Sequence, residues 1–298
     1  MKAFIRLLRP KQWSKNLLVF AAILFTNQLR NGHALSMTLM AFFAMSFVSS
    51  SAYIVNDIQD VEKDRAHPRK RLRPIASGQV SKGAAGALAV VVLLAAIAML
   101  VAIGRSALAI VGIYVLLQVF YNLFAKRVPV LDVFVIGSGF VLRAMLGAAA
   151  INREISAWLL LCTAALALLL GFGKRRHEFV LQGDNRALSR ASLAGYSRQA
   201  LDALVVMSAT GAALCYGIYA LESPTAKLYP ALFITTIFVY YGICRYVLII
   251  FANDEGGEPE TLLFKDPHIL GSVVLFVAAA VVALNVTRLP LVEFGGLR

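Results

Sequence analysis

Residues 83–104 read Gly-Ala-Ala-Gly-Ala-Leu-Ala-Val-Val-Val-Leu-Leu-Ala-Ala-Ile-Ala-Met-Leu-Val-Ala-Ile-Gly, with no charged side chain between Lys82 and Arg105. As a helix, a run of about 20 apolar residues crosses the hydrocarbon core of a bilayer. The pattern repeats along the chain, in uncharged stretches at 31–56, 106–125, 155–173, 203–221 and 267–287. Composition agrees: 59% of residues are hydrophobic and 15% charged, and the mean hydropathy is +0.74. A soluble chain is about 45–50% apolar and about 25% charged. A cytosolic enzyme, a secreted disulfide scaffold and a disordered tail are excluded. The reading is an all-α polytopic membrane protein.

Nine transmembrane helices are expected, at 15–30, 35–56, 84–104, 106–125, 130–150, 155–173, 200–221, 228–251 and 268–288. Repeated Ala, Gly and Ser in the third to seventh suit close helix packing in lipid. Lysine and arginine set the orientation. The N-terminal stretch and the loops after helices 2, 4, 6 and 8 carry 5, 7, 2, 6 and 1 of the 29 basic residues, while the opposite side carries 6 (Arg30, Arg105, Arg153, Lys227, Arg288, Arg298). The N-terminus and the two long loops, after helices 2 and 6, are therefore expected in the cytoplasm and the C-terminus outside. The net charge of +13 is then a matter of topology, and no nucleic-acid partner is expected. Cys162, Cys215 and Cys244 all lie in apolar segments and read as packing residues. The basic start lacks a cleavage site and reads as the beginning of the first membrane segment.

Nearly all the polar chemistry lies in the two long loops. Leaving the second helix come Asn56-Asp57-Ile58-Gln59-Asp60-Val61-Glu62-Lys63-Asp64. At 100° per residue, Asn56, Asp60 and Asp64 form one stripe, and Asp57 falls within about 20° of Asp64. Like charges at that spacing repel, and a divalent cation removes the repulsion. Oxygen ligands with open positions suit Mg²⁺, which usually shares its shell with substrate phosphates. Directly downstream is His67-Pro68-Arg69-Lys70-Arg71-Leu72-Arg73-Pro74. Acids for Mg²⁺ beside a group of guanidiniums is the pairing a pyrophosphate needs. The positive-inside rule accounts for the arginines but not for the acids.

Asn-Asp-x-x-Asp-x-x-x-Asp leaving the second helix, followed by His-Pro-x-x-x-x-Arg-Pro-x-x-x-Gly at 67–78, resembles the UbiA superfamily of intramembrane prenyltransferases. The resemblance implies a single domain over 1–298, with nine helices around a central cavity open to lipid. It also implies a cytoplasmic polar cap holding Mg²⁺ and a diphosphate.

The loop after helix 6 departs from the aromatic prenyltransferases of that superfamily, which carry a second aspartate-rich motif there. Here it reads Gly173-Lys174-Arg175-Arg176-His177-Glu178-Phe179, with Asp184, Arg186 and Arg190 following, then Ser192-Leu193-Ala194-Gly195-Tyr196-Ser197. Cations outnumber acids, which suits direct binding of a substrate rich in phosphate. Lys-Arg-x-x-Glu followed by Arg-x-Ser-Leu-x-x-Tyr-Ser resembles the polyprenyl-phosphate (decaprenyl-phosphate) phosphoribosyltransferase branch. So do Arg-Pro-Lys-Gln-Trp-Ser-Lys-Asn at 9–16 and Tyr121 to Asp132 continuing through Arg143 to Gly147. The branch implies phosphoribosyl pyrophosphate as donor, a polyprenyl phosphate as acceptor and, in bacteria, supply of arabinose-containing cell-wall polymers from the plasma membrane. Under it, Asn56, Asp57, Asp60 and Asp64 are the metal set, and Asp57, Asp60, Asp64 and Glu178 the catalytic acids. Lys70, Arg71, Arg73, Lys126, Asp132, Lys174, Arg175, Arg190 and Tyr196 are donor and phosphate candidates.

Lys11, Trp13, Lys15 and Asn16 stand at headgroup depth, where an acceptor-phosphate site and an interfacial anchor look alike. Arg143 lies about three turns beyond Asp132 inside a span, and either reaches the acceptor phosphate or pairs with another helix. Arg245 is placed to snorkel. Asn253 to Glu260 reads as a solvated turn or as a lid. Two other functions compete: an aromatic or quinone-pathway prenyltransferase, which the first motif alone would permit, and an anion transporter. A transporter would show internal repeats, and none is visible.

Overall fold

The computed structural model describes residues 2–66, 70–182, 191–252, 257, 261–262 and 265–285. All regular structure among them is helical. Helix α1 (Lys2–Leu8) is followed by a 3₁₀ segment (Pro10–Phe20) and by α2 (Ala21–Phe25), α3 (Gly32–Gln59) and α4 (Val61–Ala66). Then come α5 (Lys82–Ile103), α6 (Arg105–Leu123), α7 (Leu131–Ala150), α8 (Ala157–Gln182) and α9 (Arg198–Glu222). The series ends with α10 (Pro224–Leu228), α11 (Thr236–Ala252) and α12 (Pro267–Ala283). Among the described residues seven segments are long and apolar enough to cross a membrane: α3, α5, α6, α7, α8, α9 and Pro230–Ala252. These coincide with the second to eighth expected spans. The first and ninth differ: a 3₁₀ segment and short α2 replace one, and α12, at 17 residues, is shorter than the other. Large apolar side chains such as Leu94, Leu116 and Val282 point outward at 60%, 69% and 64% exposure. A chain folding in water would bury them, whereas lipid tails solvate them.

The chain forms two compact units. The first comprises residues 1–23, 28–113 and 142–154. Its long helices begin on side-chain caps: Asn31 Oδ1 accepts from the His33 and Ala34 amides, and Ser81 Oγ from Ala84 N. These satisfy amides that a helix start leaves without partners. Beneath the end of α3, Leu7, Ile54, Val61, Ile75, Val80, Ala85 and Ala89 form an apolar cluster. That cluster fixes the 73–80 turn, where Gly78 adopts φ +77°, a left-handed conformation that favours glycine.

The 3₁₀ segment lies tightly on α7. A Cβ on Gly147 would collide with the Val19 carbonyl oxygen, so only glycine allows this approach. Gly147→Ala is expected to destabilise the protein by about 1–3 kcal/mol through overpacking. A thermal melt in detergent checks this, and an unchanged midpoint would mean the seam has slack.

The second unit comprises residues 24–27, 114–141 and 155–298. Its core packs Val133, Leu169, Phe172, Leu193, Leu201, Val205 and Ile250. Ser197 caps α9 by accepting from Ala200 N. Asp266 caps α12, accepting from Ile269 N while ion-paired with Arg245 at 2.8 Å. Arg245 thus joins α11 to the α12 cap. That hydrogen bond also holds the Asp266 carboxyl below its ordinary range.

Candidate active site

In the first unit the acidic stripe bends. Helix α3 ends at Gln59, Asp60 has φ −92° and ψ 10°, and α4 resumes at Val61. Asp57 and Asp64, on either side of the break, are buried and converge on one guanidinium. Arg73 Nη1 donates to Asp57 Oδ1 at 3.0 Å and to Asp64 Oδ2 at 2.7 Å. A second guanidinium arrives from the chain start, with Arg9 Nη2 2.6 Å from Asp57 Oδ1. Arg9 also stacks over the Tyr53 ring, 4.9 Å from its centroid, a cation–π geometry. Its backbone is strained, with φ 51° and ψ 58°. For a non-glycine residue that costs about 1–2 kcal/mol, and the following Pro10 favours extended backbone at this position instead.

Asp60 is half exposed and faces Lys63 at 3.6 Å, while Asn56 is partly exposed. The expected four-residue set is therefore divided: Asp57 and Asp64 are brought together, and Asp60 is turned outward. Among the described residues no three His, Cys, Asp or Glu side chains are grouped to hold a metal ion. The donors that do converge are carboxylate oxygens, the ligand type Mg²⁺ takes with its remaining positions left to water and phosphate. Two converging carboxylates fit that pattern. Lys70 and Arg71 lie on an exposed short turn. His67, Pro68 and Arg69 lie outside the described residues.

In the second unit Asp132, at the start of α7, is fully buried. Its Oδ2 accepts from Arg175 Nε at 2.7 Å and from Ser192 Oγ at 3.0 Å. Its Oδ1 accepts from the Tyr196 hydroxyl at 3.2 Å. That hydroxyl also accepts from Val130 N. Burial raises the Tyr196 phenol above its ordinary range, and the Asp132 charge adds to the shift. Arg175 donates its other arm, Nη1, to Glu178 at 2.7 Å, and Glu178 is partly exposed. A buried carboxylate thus orients a buried guanidinium, which in turn holds a carboxylate with access to solvent. Arg175, Asp132 and Tyr196 satisfy one another. Glu178 and Lys174 are both partly exposed. The close fit of the loop depends on Gly195, where a Cβ would meet the Pro129 ring at 2.5 Å. Lys126 is exposed on the turn before α7. Asp184, Arg186, Arg190 and the 253–256 and 258–260 segments lie outside the described residues.

The headgroup-depth residues divide as well. Trp13 is committed to α3: its indole N–H donates to Leu8 O at 3.2 Å and Ser50 Oγ at 3.1 Å, and its ring meets Phe43 and Phe47 edge-on. Lys11 is exposed and Lys15 partly so. Asn16 and Arg143 are buried together. Arg143 Nε donates to Asn16 Oδ1 at 2.7 Å, and Asn16 Nδ2 donates to Ser46 Oγ at 2.9 Å.

Three partners escaped the sequence reading. Arg9 and Ser192 sit inside motifs quoted from the sequence, but neither carried an assigned role. Arg176, buried beside Arg175, pairs with Asp202 at 2.6 Å, donates to Ile250 O at 2.8 Å and stacks on Phe251. A charge run read as substrate-facing thus contains a structural tie between α8, α9 and α11.

Comparison with known proteins finds relatives over most of the chain. The decaprenyl-phosphate phosphoribosyltransferase of Corynebacterium glutamicum is 35% identical over 268 residues, covering 88% of this chain and 80% of that protein. The protein of the same name from Mycolicibacterium smegmatis is 34% identical over 283 residues, 89% and 87% of the two chains. A UbiA homolog from Archaeoglobus fulgidus, solved with GPP and Mg²⁺, is similar in fold with a TM-score of 0.72 at 17% identity, over 95% of this chain and all of that one. The model of the UbiA prenyltransferase family matches residues 17–265, a range that takes in Asp57, Asp64, Asp132, Arg175 and Glu178. The chain belongs to the UbiA prenyltransferase family.

Proposed function

We propose that the chain is an integral-membrane transferase that moves 5-phosphoribose from phosphoribosyl pyrophosphate to a polyprenyl phosphate, releasing pyrophosphate. The observation that carries this reading is identity of 34–35% to decaprenyl-phosphate phosphoribosyltransferases over most of both chains. The absence of a second aspartate-rich motif after Gly173 supports it over an aromatic prenyltransferase.

An oxygen of the lipid phosphate attacks C1 of the ribose as the bond from C1 to pyrophosphate breaks. The electron pair leaves with pyrophosphate, and the α-donor gives a β-linked product. The acceptor is already anionic, so positioning matters more than a strong base. Asp57 and Asp64, with Asn56 and an inward-turned Asp60 completing the set, would hold Mg²⁺, which would supply charge neutralisation for the departing pyrophosphate. Arg71, Arg73, Lys70, Lys126, Lys174 and Arg190 bind phosphate oxygens. Glu178 orients the ribose hydroxyls, held in place by Arg175 and, through it, by Asp132, Ser192 and Tyr196. Lys11 and Lys15 take the acceptor phosphate, while Asn16 and Arg143 are buried against each other. The chain works as one domain of nine spans in a bacterial plasma membrane, with its N-terminus and chemistry cytoplasmic, and the product feeds cell-wall arabinan.

The test is a transfer assay on purified protein in detergent with Mg²⁺. One arm offers radiolabelled phosphoribosyl pyrophosphate with a polyprenyl phosphate; the rival arm offers a prenyl diphosphate with 4-hydroxybenzoate. Label is expected in the organic phase from the first arm alone. Turnover confined to the second would replace this reading with aromatic prenylation.

A further inference from the structure

We infer that Arg9 and Arg73 act as built-in counter-ions that occupy the Asp57 and Asp64 carboxylates in the substrate-free protein and pass to the diphosphate when Mg²⁺ takes those carboxylates. This rests on the metal reading of the acid cluster given above. Three independent observations support it. The first is charge balance: two buried carboxylates meet two guanidiniums, at 2.6, 3.0 and 2.7 Å. Buried carboxylates left alone would be strongly destabilising, so a site awaiting a cation needs a substitute. The second is strain. Arg9 is left-handed immediately before Pro10, the kind of outlier that persists where function demands it. Here it places the guanidinium on Asp57 and over Tyr53. The third is chemistry. A guanidinium cannot lose its proton under working conditions, so it vacates a carboxylate only by moving. Its planar fork fits a phosphate as well as it fits a carboxylate.

Arg9 therefore opposes bare metal and favours metal accompanied by diphosphate. Mg²⁺ alone must displace a guanidinium from its carboxylate into solvent, where no anion replaces the lost partner. Mg²⁺ arriving with diphosphate supplies the displaced arginine with a new anion at the same place. The metal and the phosphates then enter together, and the buried carboxylates are never without a cation. Arg9 is a positioning residue in this scheme, acting through Asp57 before it touches any phosphate.

The experiment measures Mn²⁺ binding by electron paramagnetic resonance on the full-length protein in detergent, first without substrate and then with inorganic pyrophosphate. Arg9→Gln is expected to tighten Mn²⁺ binding to the substrate-free protein by about tenfold, since one competing charge is gone. The same variant is expected to weaken pyrophosphate binding in the presence of Mn²⁺ by about tenfold, through loss of a charge-assisted pair. A residue needed simply for folding would weaken both. Arg9→Lys, which keeps the charge without the fork, is expected to fall between wild type and Arg9→Gln in both measurements, and it serves if Arg9→Gln does not fold. Unchanged or weaker Mn²⁺ binding in a variant that melts like wild type would overturn the exchange while leaving the metal site standing. If wild type binds no Mn²⁺ even with pyrophosphate present, and Asp64→Asn behaves identically, the metal reading falls and the exchange falls with it.

Discussion

Asp64→Asn is expected to lower Mg²⁺-dependent transfer by about 10²–10³-fold, the usual loss when one preorganised electrostatic partner of a developing charge is removed. Asparagine has the same shape and keeps an oxygen to accept from Arg73, now 2.7 Å from Asp64. What it removes is the negative charge, both for a metal ion and for Arg73. Val61, Ile75 and Val80, which pack beneath the cluster, are untouched, so the helical circular dichroism should match wild type. Asp57→Asn should behave alike. Asp60→Asn separates two possibilities, because Asp60 faces Lys63 and solvent. A loss as large as that of Asp64→Asn would mean the side chain turns inward during turnover. Activity of Asp64→Asn within threefold of wild type, across an Mg²⁺ titration, would remove Asp64 from the metal set.

The second large effect concerns Asp132, where stability and activity are expected to separate. Asp132→Ala leaves the Arg175 guanidinium, 2% exposed, without its buried counter-charge, and such losses cost about 3–5 kcal/mol. Replacing both partners by apolar residues of similar volume, Asp132→Leu with Arg175→Met, removes the uncompensated charge as well as the pair. Stability should then return most of the way. Activity should not, because Glu178 loses the donor that holds it at 2.7 Å. A melting curve and a transfer assay on the three proteins decide the matter. If the double variant is both stable and active, the Asp132–Arg175–Glu178 chain has no part in positioning.

Most of the long helices were readable because each is built on a run without charge, and lipid tolerates few charges; α7 and α11 carry Arg143 and Arg245 within theirs. The same criterion misplaced the end of α8, expected at 173 but continuing to Gln182. Lys174 and Arg175 looked like the edge of the membrane, yet the helix continues because Arg175 and Arg176 are paired inside the protein. The first expected span differs in helix type for a different reason. Hydropathy from 15 onward resembles an α-helix, but Pro10 opens a 3₁₀ segment that runs to Phe20, and nothing in local composition distinguishes the two. At the site, helical geometry placed Asp57 near Asp64 and so found the acid pair. It could not foresee the break at Asp60, nor that Arg175 would be consumed by an acid 43 positions away. Charge counting says how many cations a loop holds. Which of them are already taken depends on partners distant in sequence.

The buried chain from Arg143 through Asn16 to Ser46 also constrains how the protein is made. An arginine near the middle of an inserted helix costs about 2.5–3.5 kcal/mol when it enters lipid unaided. Its amide partner lies 127 residues earlier in the chain, so at about 5–20 residues per second that partner emerges on the order of ten seconds sooner. In that interval the Ser46 hydroxyl, translated soon after Asn16, can occupy the amide. Asn16 and Ser46 are therefore both made before α7, so the N-terminal segment is available as a partner when the charged helix enters the bilayer.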